Sequence, residues 1–268
     1  MRKVIVILSI AVTVIGGCAK NSITGRNQLA LLNESELQQM ASQQYQQFLT
    51  QNRVVAASSS KDAEMVRRVG QRLVNAINAY YNQKGLTKEL EGYKWEYNLI
   101  DSKEVNAWCM PGGKIVVYTG LLPITQNEAA LAVVIGHEIT HALAHHGNER
   151  MSQQLIAQGI GVAGSVLTSN NATTSNIFNN IYGPTAQVGV LLPNNRKQEL
   201  EADKFGLFFT AMAGYNPQEA IPLWERMMHA GGNKPPEFLS THPSDQSRID
   251  KLKQLMPEAL KYYKPMGK

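Results

Sequence analysis

The sequence has few cysteines, little net charge, no internal repeat and no apolar run long enough to span a membrane. Two cysteines in 268 residues exclude a framework of intramolecular disulfides. A formal net charge of +5 is a weak excess and gives no argument for a nucleic-acid partner. No repeat pattern indicates a solenoid. With 43% hydrophobic and 18% charged residues, the chain is typical of a globular protein that forms one large domain or two small ones around a sizeable core.

The first residues have the three parts of a secretory signal. Arg2 and Lys3 give a basic start, an apolar run follows over residues 4–15, and small residues end it. The run is shorter than the roughly 20 residues needed to span a bilayer. Its end, IGGC at residues 15–18, resembles the lipobox of bacterial lipoproteins, in which the signal is cut before the cysteine and the cysteine receives lipid. A plain secreted protein with a chance cysteine is the alternative.

This interpretation divides the chain into a signal peptide (1–17), a lipidated tether (18–33) and one domain (34–268). Lipid on Cys18 would anchor the protein to a membrane, with the domain facing the periplasm of a bacterial cell envelope. Ala19 resembles the sorting signal for the outer membrane. Removal of the signal lowers the net charge by two, to +3, which again predicts no nucleic-acid partner.

The spacing of apolar residues predicts helices and one small sheet. Helical spacing extends over residues 34–51 and 61–83. Residues 94–119 contain shorter strand-like runs with a Pro-Gly-Gly turn, which predicts a hairpin. The chain then becomes helical again, except over 168–195, which is rich in Ser, Thr, Asn and Gly. The predicted fold class is therefore α+β, mostly helical with one small antiparallel sheet.

Two features of these stretches stay as expectations. Cys109 lies in a strand-like stretch and is interpreted as a packed thiol rather than a nucleophile. The segment 150–195 begins with a helical pattern and has a polar centre, and whether it forms a lid over a site stays open.

A predicted helix carries four of the six histidines within ten residues. Thr125 and Glu128 form a capping-box pattern, which predicts a helix from about residue 126 to residue 146 that ends at Gly147. Its first half is apolar on nearly every side and is expected to be buried. Gly136 costs about 1 kcal/mol in a helix interior, so we expect another part of the molecule to approach the backbone closely there.

His137, Glu138 and His141 form the pattern H-E-x-x-H. Four residues advance a helix by one turn plus about 40°, so both imidazoles project from one face, about 6 Å apart, and can share one ion. Zinc suits two imidazoles plus an oxygen ligand and leaves a position for water, from which Glu138 can take a proton. Two core histidines with ordinary hydrogen bonds are the alternative.

The other two histidines of this helix do not fit the same ion. His145 lies about 12 Å along the helix axis from His137. We therefore interpret His145 and His146 as residues at the C-terminal end of the helix, where the helix dipole favours them.

A third ligand must come from elsewhere, and the acidic segment NRKQELEADKFG at residues 195–206 offers the best candidates. Glu199 and Asp203 lie on one face of a helix predicted over residues 195–213, whereas Glu201 points about 160° away. Glu199 as a ligand, with Asp203 accepting the N–H of a ligand histidine, is one coherent arrangement. A solvated acidic turn at a helix N-terminus is the alternative.

H-E-x-x-H followed about sixty residues later by E-x-x-A-D, at residues 199–203, resembles the metallopeptidase family that includes HtpX and the CAAX prenyl proteases. Two further stretches agree with it: VNAWCMPGGKIVVYTGLL, and the letters THP at 241–243 with Arg248 near the end. The resemblance covers roughly residues 60–255. It is nearest to soluble, lipoprotein-anchored bacterial members of envelope protein quality control, and it implies a zincin-like domain of the gluzincin type.

The resemblance also implies a site with one zinc ion per chain. It makes His137, His141 and Glu199 the zinc ligands and Glu138 the general base and acid. It places the segment around His242 beside the metal. Our hypothesis is that His242 either stabilises the oxyanion of the tetrahedral intermediate or occupies the water position in a resting state; a surface-loop histidine is the alternative.

Two further residues are assigned by the same resemblance. Arg248 positions the loop of His242 or meets substrate carbonyls, with an ordinary surface arginine as the alternative. The strand with Asn106 and Ala107 resembles the substrate-binding edge of the family, where an extended peptide pairs through main-chain hydrogen bonds. A purely structural strand is the alternative here.

The predicted function is that of a zinc-dependent endopeptidase that cleaves extended segments of unfolded or damaged envelope proteins. Its partners are then polypeptide substrates and, through Cys18, a membrane. A zinc-binding chaperone or assembly factor with weak or no proteolysis is one alternative, and a structural lipoprotein without metal is another. The physiological substrate and the oligomeric state do not follow from the sequence.

Overall fold

A computed structural model describes residues 17–158, 171–182, 195–230, 236–242 and 246–265. Its helices are α1 (Glu34–Gln51), α2 (Lys61–Gln83), α3 (Leu122–Thr125), α4 (Glu128–Leu143), α5 (His146–Ala157), α6 (Ala172–Tyr182), α7 (Asn195–Met212), α8 (Ala220–His229), α9 (Glu237–Thr241) and α10 (Gln246–Ala259). Its strands are β1 (Cys18–Lys20), β2 (Asn27–Leu29), β3 (Val54–Val55), β4 (Glu96–Ile100), β5 (Ala107–Met110) and β6 (Lys114–Tyr118). Helices dominate, so the predicted α+β class is confirmed.

The first two helices have the bounds that the apolar spacing predicts. Each begins at a polar N-cap, because the side chain of Asn33 accepts the Ser35 N–H and that of Ser60 accepts the Ala63 N–H. Helix α2 buries one apolar stripe in the main core and packs against α4 and β4.

The larger sheet has the strand order β3-β4-β6-β5. Strands β5 and β6 form the predicted antiparallel hairpin, and its turn needs glycine because Gly112 and Gly113 have φ of 77° and 83°. Strand β4, however, pairs parallel to β6. The alternation of side chains predicts strands but not the direction in which distant strands pair. Strand β5 lies at an edge of the sheet, next to α4.

The segment predicted as a tether packs against the domain over much of its length. Strands β1 and β2 pair antiparallel, and Ile23 and Leu32 are buried. The Asn21 Nδ2 group donates to the Leu143 carbonyl at the end of α4, over 3.4 Å. Residues 1–16 of the predicted signal lie outside the described residues. Within the described ranges, no helix is both long and apolar enough to cross a bilayer.

Helix α4 is buried at every position from Ala130 to Leu143 and crosses α7 at two glycines. A Cβ on Gly136 would lie 2.9 Å from the Gly206 carbonyl oxygen, and a Cβ on Gly206 would lie 2.8 Å from the His137 nitrogen. The expected close approach at Gly136 is therefore confirmed. The element that approaches is α7, which carries the candidate carboxylates.

Both ends of α4 differ from the prediction. The N-cap is Asn127, whose side chain accepts the Ala130 N–H, whereas Thr125 ends the preceding short helix. The helix stops at Leu143 because His145 adopts a left-handed conformation, with φ of 54°. Helix α5 then begins at His146 and includes the glycine that was expected to end α4.

The polar segment 168–195 also differs in part from the prediction. Its centre forms α6, which buries Thr174, Ile177 and Phe178. The rest of the possible lid, residues 159–170 and 183–194, lies outside the described residues.

Candidate metal centre

Four buried side chains from three separate segments converge on one point. His137 and His141 come from α4, Glu199 comes from α7, and His242 follows α9. One ligand atom from each lies within 4.8 Å of all the others. The crossing of α4 and α7 at their glycines brings Glu199 to the two histidines.

The distances between these atoms fit a tetrahedral zinc site. Ligands at about 2.0–2.1 Å from zinc lie about 3.3–3.4 Å from one another in a tetrahedron. The His137 Nε2 atom is 3.1 Å from His141 Nε2 and 3.3 Å from Glu199 Oε2, and His141 Nε2 is 3.4 Å from Glu199 Oε1. The residues present therefore fit one zinc ion.

His242 lies at the position of a fourth ligand. Its Nδ1 atom lies 3.3 Å from His137 Nε2 and 3.1 Å from each carboxylate oxygen of Glu199. The side chain is buried, which removes the alternative of a surface-loop histidine. Pro243, the last letter of the THP pattern, lies outside the described residues.

Glu138 lies beside the four-residue cluster without belonging to it. Its Oε1 atom is 3.4 Å from His242 Nε2 and makes no hydrogen bond to the part of the chain that the structure describes. Burial raises the pKa of Glu138, although the nearby charges of His242 and His137 oppose this. A buried carboxylate with a raised pKa and an oxygen without a hydrogen bond suits proton transfer near neutral pH.

Asp203 and Arg248 hold His137 from behind. The His137 Nδ1 atom lies 3.1 Å from Asp203 Oδ1, so the ring nitrogen that does not point at the cluster contacts a carboxylate. Arg248 donates to both Asp203 oxygens, over 2.8 and 2.7 Å, and its guanidinium lies 4.2 Å from the ring centre of Trp224. Arg248 is only 2% exposed, so the alternative of a surface arginine is wrong.

Arg248 also connects this pair to the rest of the cluster. Its Nη1 atom lies 3.2 Å from Glu199 Oε2 and donates to the His242 carbonyl over 3.3 Å. One buried guanidinium therefore contacts the candidate ligand carboxylate and the backbone of His242.

The protonation equilibria of the ligands follow from burial and charge. Burial lowers the pKa of His137, but its hydrogen bonds with Asp203 and Glu199 raise that pKa to about 9. Burial lowers the pKa of His141 well below its usual value. Burial opposes ionisation of Glu199, yet the charges of His242 and His141 hold its pKa well below the usual range. Glu199 and His141 are therefore in the ionised and neutral forms that bind metal, whereas His137 has to lose a proton when metal binds.

A cleft leads from the edge strand β5 to the cluster. Residues from β5, α4 and the end of α9 line it, among them Asn106, Trp108, Met110, Glu138, His141 and His242. Asn106 is buried, its backbone carbonyl accepts the Tyr118 N–H and its side chain accepts the Ala107 N–H. Asn106 thus fixes the start of β5 at the mouth of the cleft.

The structure adds His146, which the sequence assigned to a helix end. The side chain is fully buried and its Nδ1 atom lies 2.8 Å from His141 Nδ1. On a continuous helix, five residues place two side chains about 140° apart. The break between the two helices at His145 brings the His141 and His146 side chains together instead. Gly147 and the end of the apolar pattern indicate that a break is possible but do not locate it.

The two cysteines take no part in the cluster. Cys109 is buried, and burial raises the pKa of its thiol well above the usual value. The interpretation as a packed thiol is therefore confirmed. Cys18 is exposed.

Comparison with known proteins identifies a family over most of the chain. Residues 60–256 match the model of Peptidase family M48. Mitochondrial metalloendopeptidase OMA1 of Arabidopsis thaliana is 38% identical over 180 residues, which are 66% of this chain and 35% of that protein. The OMA1 protein of Saccharomyces cerevisiae is 32% identical over 70% of this chain and 54% of that protein. The Beta-barrel assembly-enhancing protease of Yersinia pestis is 31% identical over 58% of this chain and 33% of that protein.

The predicted location in a bacterial envelope, at the outer membrane, is contradicted by these relatives. Those at 38% and 32% identity are named as mitochondrial metalloendopeptidases. The prediction rested on residues 15–19, a short stretch outside the matched region that takes no part in the site, and we withdraw it.

The chain spans about half or less of the length of these curated relatives. The matched region nevertheless contains the H-E-x-x-H helix, the carboxylates of α7 and the segment of His242. The family match confirms the predicted class of metallopeptidase, and the four-residue cluster provides ligands for the zinc ion that this class uses. This chain belongs to Peptidase family M48.

Proposed function

We propose that this chain is a zinc-dependent endopeptidase that hydrolyses extended segments of unfolded or damaged proteins. The observation that carries the proposal is the set of four buried side chains whose ligand atoms all lie within 4.8 Å of one another, with the Glu138 carboxylate beside them. His137, His141 and Glu199 hold the metal in this proposal. When bound, zinc acts as a Lewis acid and makes water a stronger acid.

Glu138 moves the proton. Its carboxylate takes a proton from the attacking water and returns it to the amine that leaves, as a general base and then a general acid. The raised pKa brings the carboxylate closer to the pH at which both transfers are possible.

Strand β5 binds the substrate in an extended form. It lies at the sheet edge and borders the cleft that contains Glu138, so a peptide paired with it passes the cluster. A folded protein presents its backbone in this form only where a segment has come loose. Unfolded chains and flexible loops are therefore the proposed substrates.

His242 occupies the water position when the site is at rest. Its Nδ1 atom lies 3.3 Å from His137 Nε2 and 3.1 Å from both Glu199 oxygens, close enough to join the other three candidate ligands, which supports the resting-state hypothesis over a direct role in stabilising an oxyanion. Binding of a water and the substrate beside Glu138 would require this side chain to turn away from the other three candidate ligands. Within the family, the chain is in this proposal most similar to the group that includes HtpX and the CAAX prenyl proteases. The positions of His242 and Arg248 beside the cluster support this.

The test is a Glu138→Gln variant assayed on casein, an unfolded substrate. We expect cleavage to fall about 10²- to 10⁴-fold because the proton carrier is lost, while the protein still binds one zinc. Glu104→Gln, which changes an exposed carboxylate, is the control and should cleave at the wild-type rate. A Glu138→Gln protein that cleaves casein as fast as wild type contradicts the proposal. Retention of the cellular role without cleavage supports the chaperone alternative.

We also propose that residues 1–17 are removed as a signal and that lipid on Cys18 attaches the protein to a membrane. The basic and apolar pattern of residues 2–15 supports this, and so does the exposed position of Cys18. Intact mass spectrometry of the protein purified from membranes tests it. A chain that starts at Cys18 and carries acyl groups is expected, with Cys18→Ser found in the soluble fraction. An unmodified Cys18 contradicts the proposal.

A further inference from the structure

A chain of polar contacts connects the candidate ligand His141 to the N-terminal hairpin, β1 and β2. His141 Nδ1 lies 2.8 Å from His146 Nδ1, and His146 Nε2 lies 3.0 Å from Glu201 Oε2. Glu201 in turn accepts from Arg26 Nε over 2.7 Å and from its Nη2 over 3.2 Å. Arg26 lies in the loop between the two strands, directly before β2.

The chemistry of imidazole fixes where the protons lie along this chain. When His141 offers Nε2 to a metal, its Nδ1 carries the proton and must donate it. His146 Nδ1 is the atom that accepts it, so the proton of His146 lies on Nε2 and is donated to Glu201. Each hydrogen bond therefore determines which atom donates in the next one. The chain ends at the Glu201 carboxylate, whose charge is neutralised by the guanidinium of Arg26.

Arg26 is itself held from several sides. It donates to both oxygens of Glu149 over 2.7 Å, and Glu149 also accepts from Gln198 Nε2 over 2.7 Å. Glu149 is buried and lies on α5, whereas Gln198 lies on α7 next to the ligand Glu199. The Arg26 side chain is 20% exposed, so this hairpin residue reaches well into the domain.

We propose that His146, Glu201 and Arg26 are positioning residues for the metal centre, and that through them the N-terminal hairpin completes the site. The relay keeps His141 in the tautomer that binds metal, as Asp203 and Arg248 do for His137. This inference rests on the proposed zinc site. Polar groups behind a ligand histidine typically account for about 10- to 100-fold in metal affinity.

The test compares three variants by their dissociation constant for zinc, measured by competition with a chromophoric chelator. His146→Leu removes the acceptor for the His141 proton and is expected to weaken zinc binding about 10- to 100-fold. His146→Asn keeps an acceptor oxygen near the position of Nδ1 but loses the contact with Glu201, so the expected loss is smaller, about threefold to tenfold. His145→Asn is the matched control, because the adjacent histidine contacts Glu34 instead of the cluster.

The outcomes separate this inference from the proposed function. A wild-type chain that binds no zinc contradicts the proposed function itself. If wild type binds zinc and His146→Leu binds it equally well, the relay is wrong. An equal loss in His146→Asn and His146→Leu also overturns it, because the role would then be packing and not acceptance of a proton. If His146→Leu does not fold, His146→Asn and Arg26→Gln decide: a loss of about threefold to tenfold is expected in each, and wild-type affinity in both overturns the relay.

The contribution of the hairpin needs a second pair of variants. Arg26→Gln should weaken zinc binding about threefold to tenfold, less than the loss at His146, because it acts through two intervening groups. In the double variant with His146→Leu, the Arg26 change should cause no further loss. Arg53→Gln, which breaks an exposed pair with Asp101, is the control. Unchanged affinity in Arg26→Gln, or fully additive losses in the double variant, overturns the role of the hairpin.

Discussion

At the scale of single residues, the site depends on groups that hold each ligand from behind. Glu199 and Asp203 are four residues apart on α7, so both carboxylates face α4, one toward the ligand atoms and one toward His137 Nδ1. Helical geometry predicts this division from the sequence. The contact of His146 with His141 was not predictable in this way, because it depends on a left-handed residue that sequence patterns do not locate.

Arg248→Lys tests the buried guanidinium. Lysine keeps the charge but loses the paired hydrogen bonds to Asp203 and the stacking on Trp224. We expect the free energy of unfolding of the metal-free protein to fall by about 2 kcal/mol, together with weaker zinc binding. Urea denaturation measures the first and chelator competition the second. Arg53→Lys, an exposed arginine, should change neither, and an equal response of both variants would contradict the prediction.

His242→Ala tests the position of the fourth ligand. Three ligands remain, so the protein should still bind one zinc per chain, with lower affinity. The initial rate of casein cleavage should rise, because the His242 side chain no longer has to turn away from the cluster before substrate binds. Zinc content by elemental analysis and the initial rate are the two measurements. A lower rate with zinc fully bound would favour the oxyanion role instead.

At the scale of elements, the crossing of α4 and α7 determines where the ligands meet. The two helices touch backbone to backbone at Gly136 and Gly206, one residue from His137 and one turn beyond Asp203. Side-chain packing at an ordinary helix contact holds the axes about 8–10 Å apart. Glycine at both positions removes the side chains that would separate the helices there.

Gly206→Ala is expected to separate these helices. The new Cβ would lie 2.8 Å from the His137 nitrogen, too close for an atom that cannot rotate away. We expect a loss of about 1–3 kcal/mol in unfolding free energy, as in other overpacked cores, and weaker zinc binding because Glu199 moves from the histidines. Chemical denaturation and chelator competition measure these effects. Asn78→Ala, an exposed position in α2, controls for helix propensity and should not destabilise the protein.

At the scale of the whole molecule, the metal centre joins parts that are distant along the chain. Its four candidate ligands come from α4, α7 and the end of α9, and the contacts behind them extend to α10 and the N-terminal hairpin. Bringing these segments together concentrates ionisable groups in the core. A bound cation stabilises this group of ionisable side chains in the native state, whereas the unfolded chain has no preformed site for it.

Zinc should therefore raise the thermal stability of the protein. At a free zinc concentration one hundred times the dissociation constant, the native state gains about 2.7 kcal/mol. Differential scanning calorimetry in a chelator and in buffered zinc should show a higher unfolding temperature with zinc. His137→Ala, which lacks one ligand, should show a much smaller shift. A wild-type unfolding temperature independent of zinc would contradict the prediction.

The sequence by itself determined which chemical groups lie together within a single helix. H-E-x-x-H fixes two imidazoles and a carboxylate on one helix, and the spacing of Glu199 and Asp203 fixes two more groups on another, because helical geometry relates residues three to five apart whatever surrounds them. Only the tertiary structure decided how these helices meet, which way β4 pairs with β6, and that His146 and Arg26 reach the site. Those contacts join residues that are distant in sequence or follow a local break, and the energies that select them come from packing and charge pairing across the whole core.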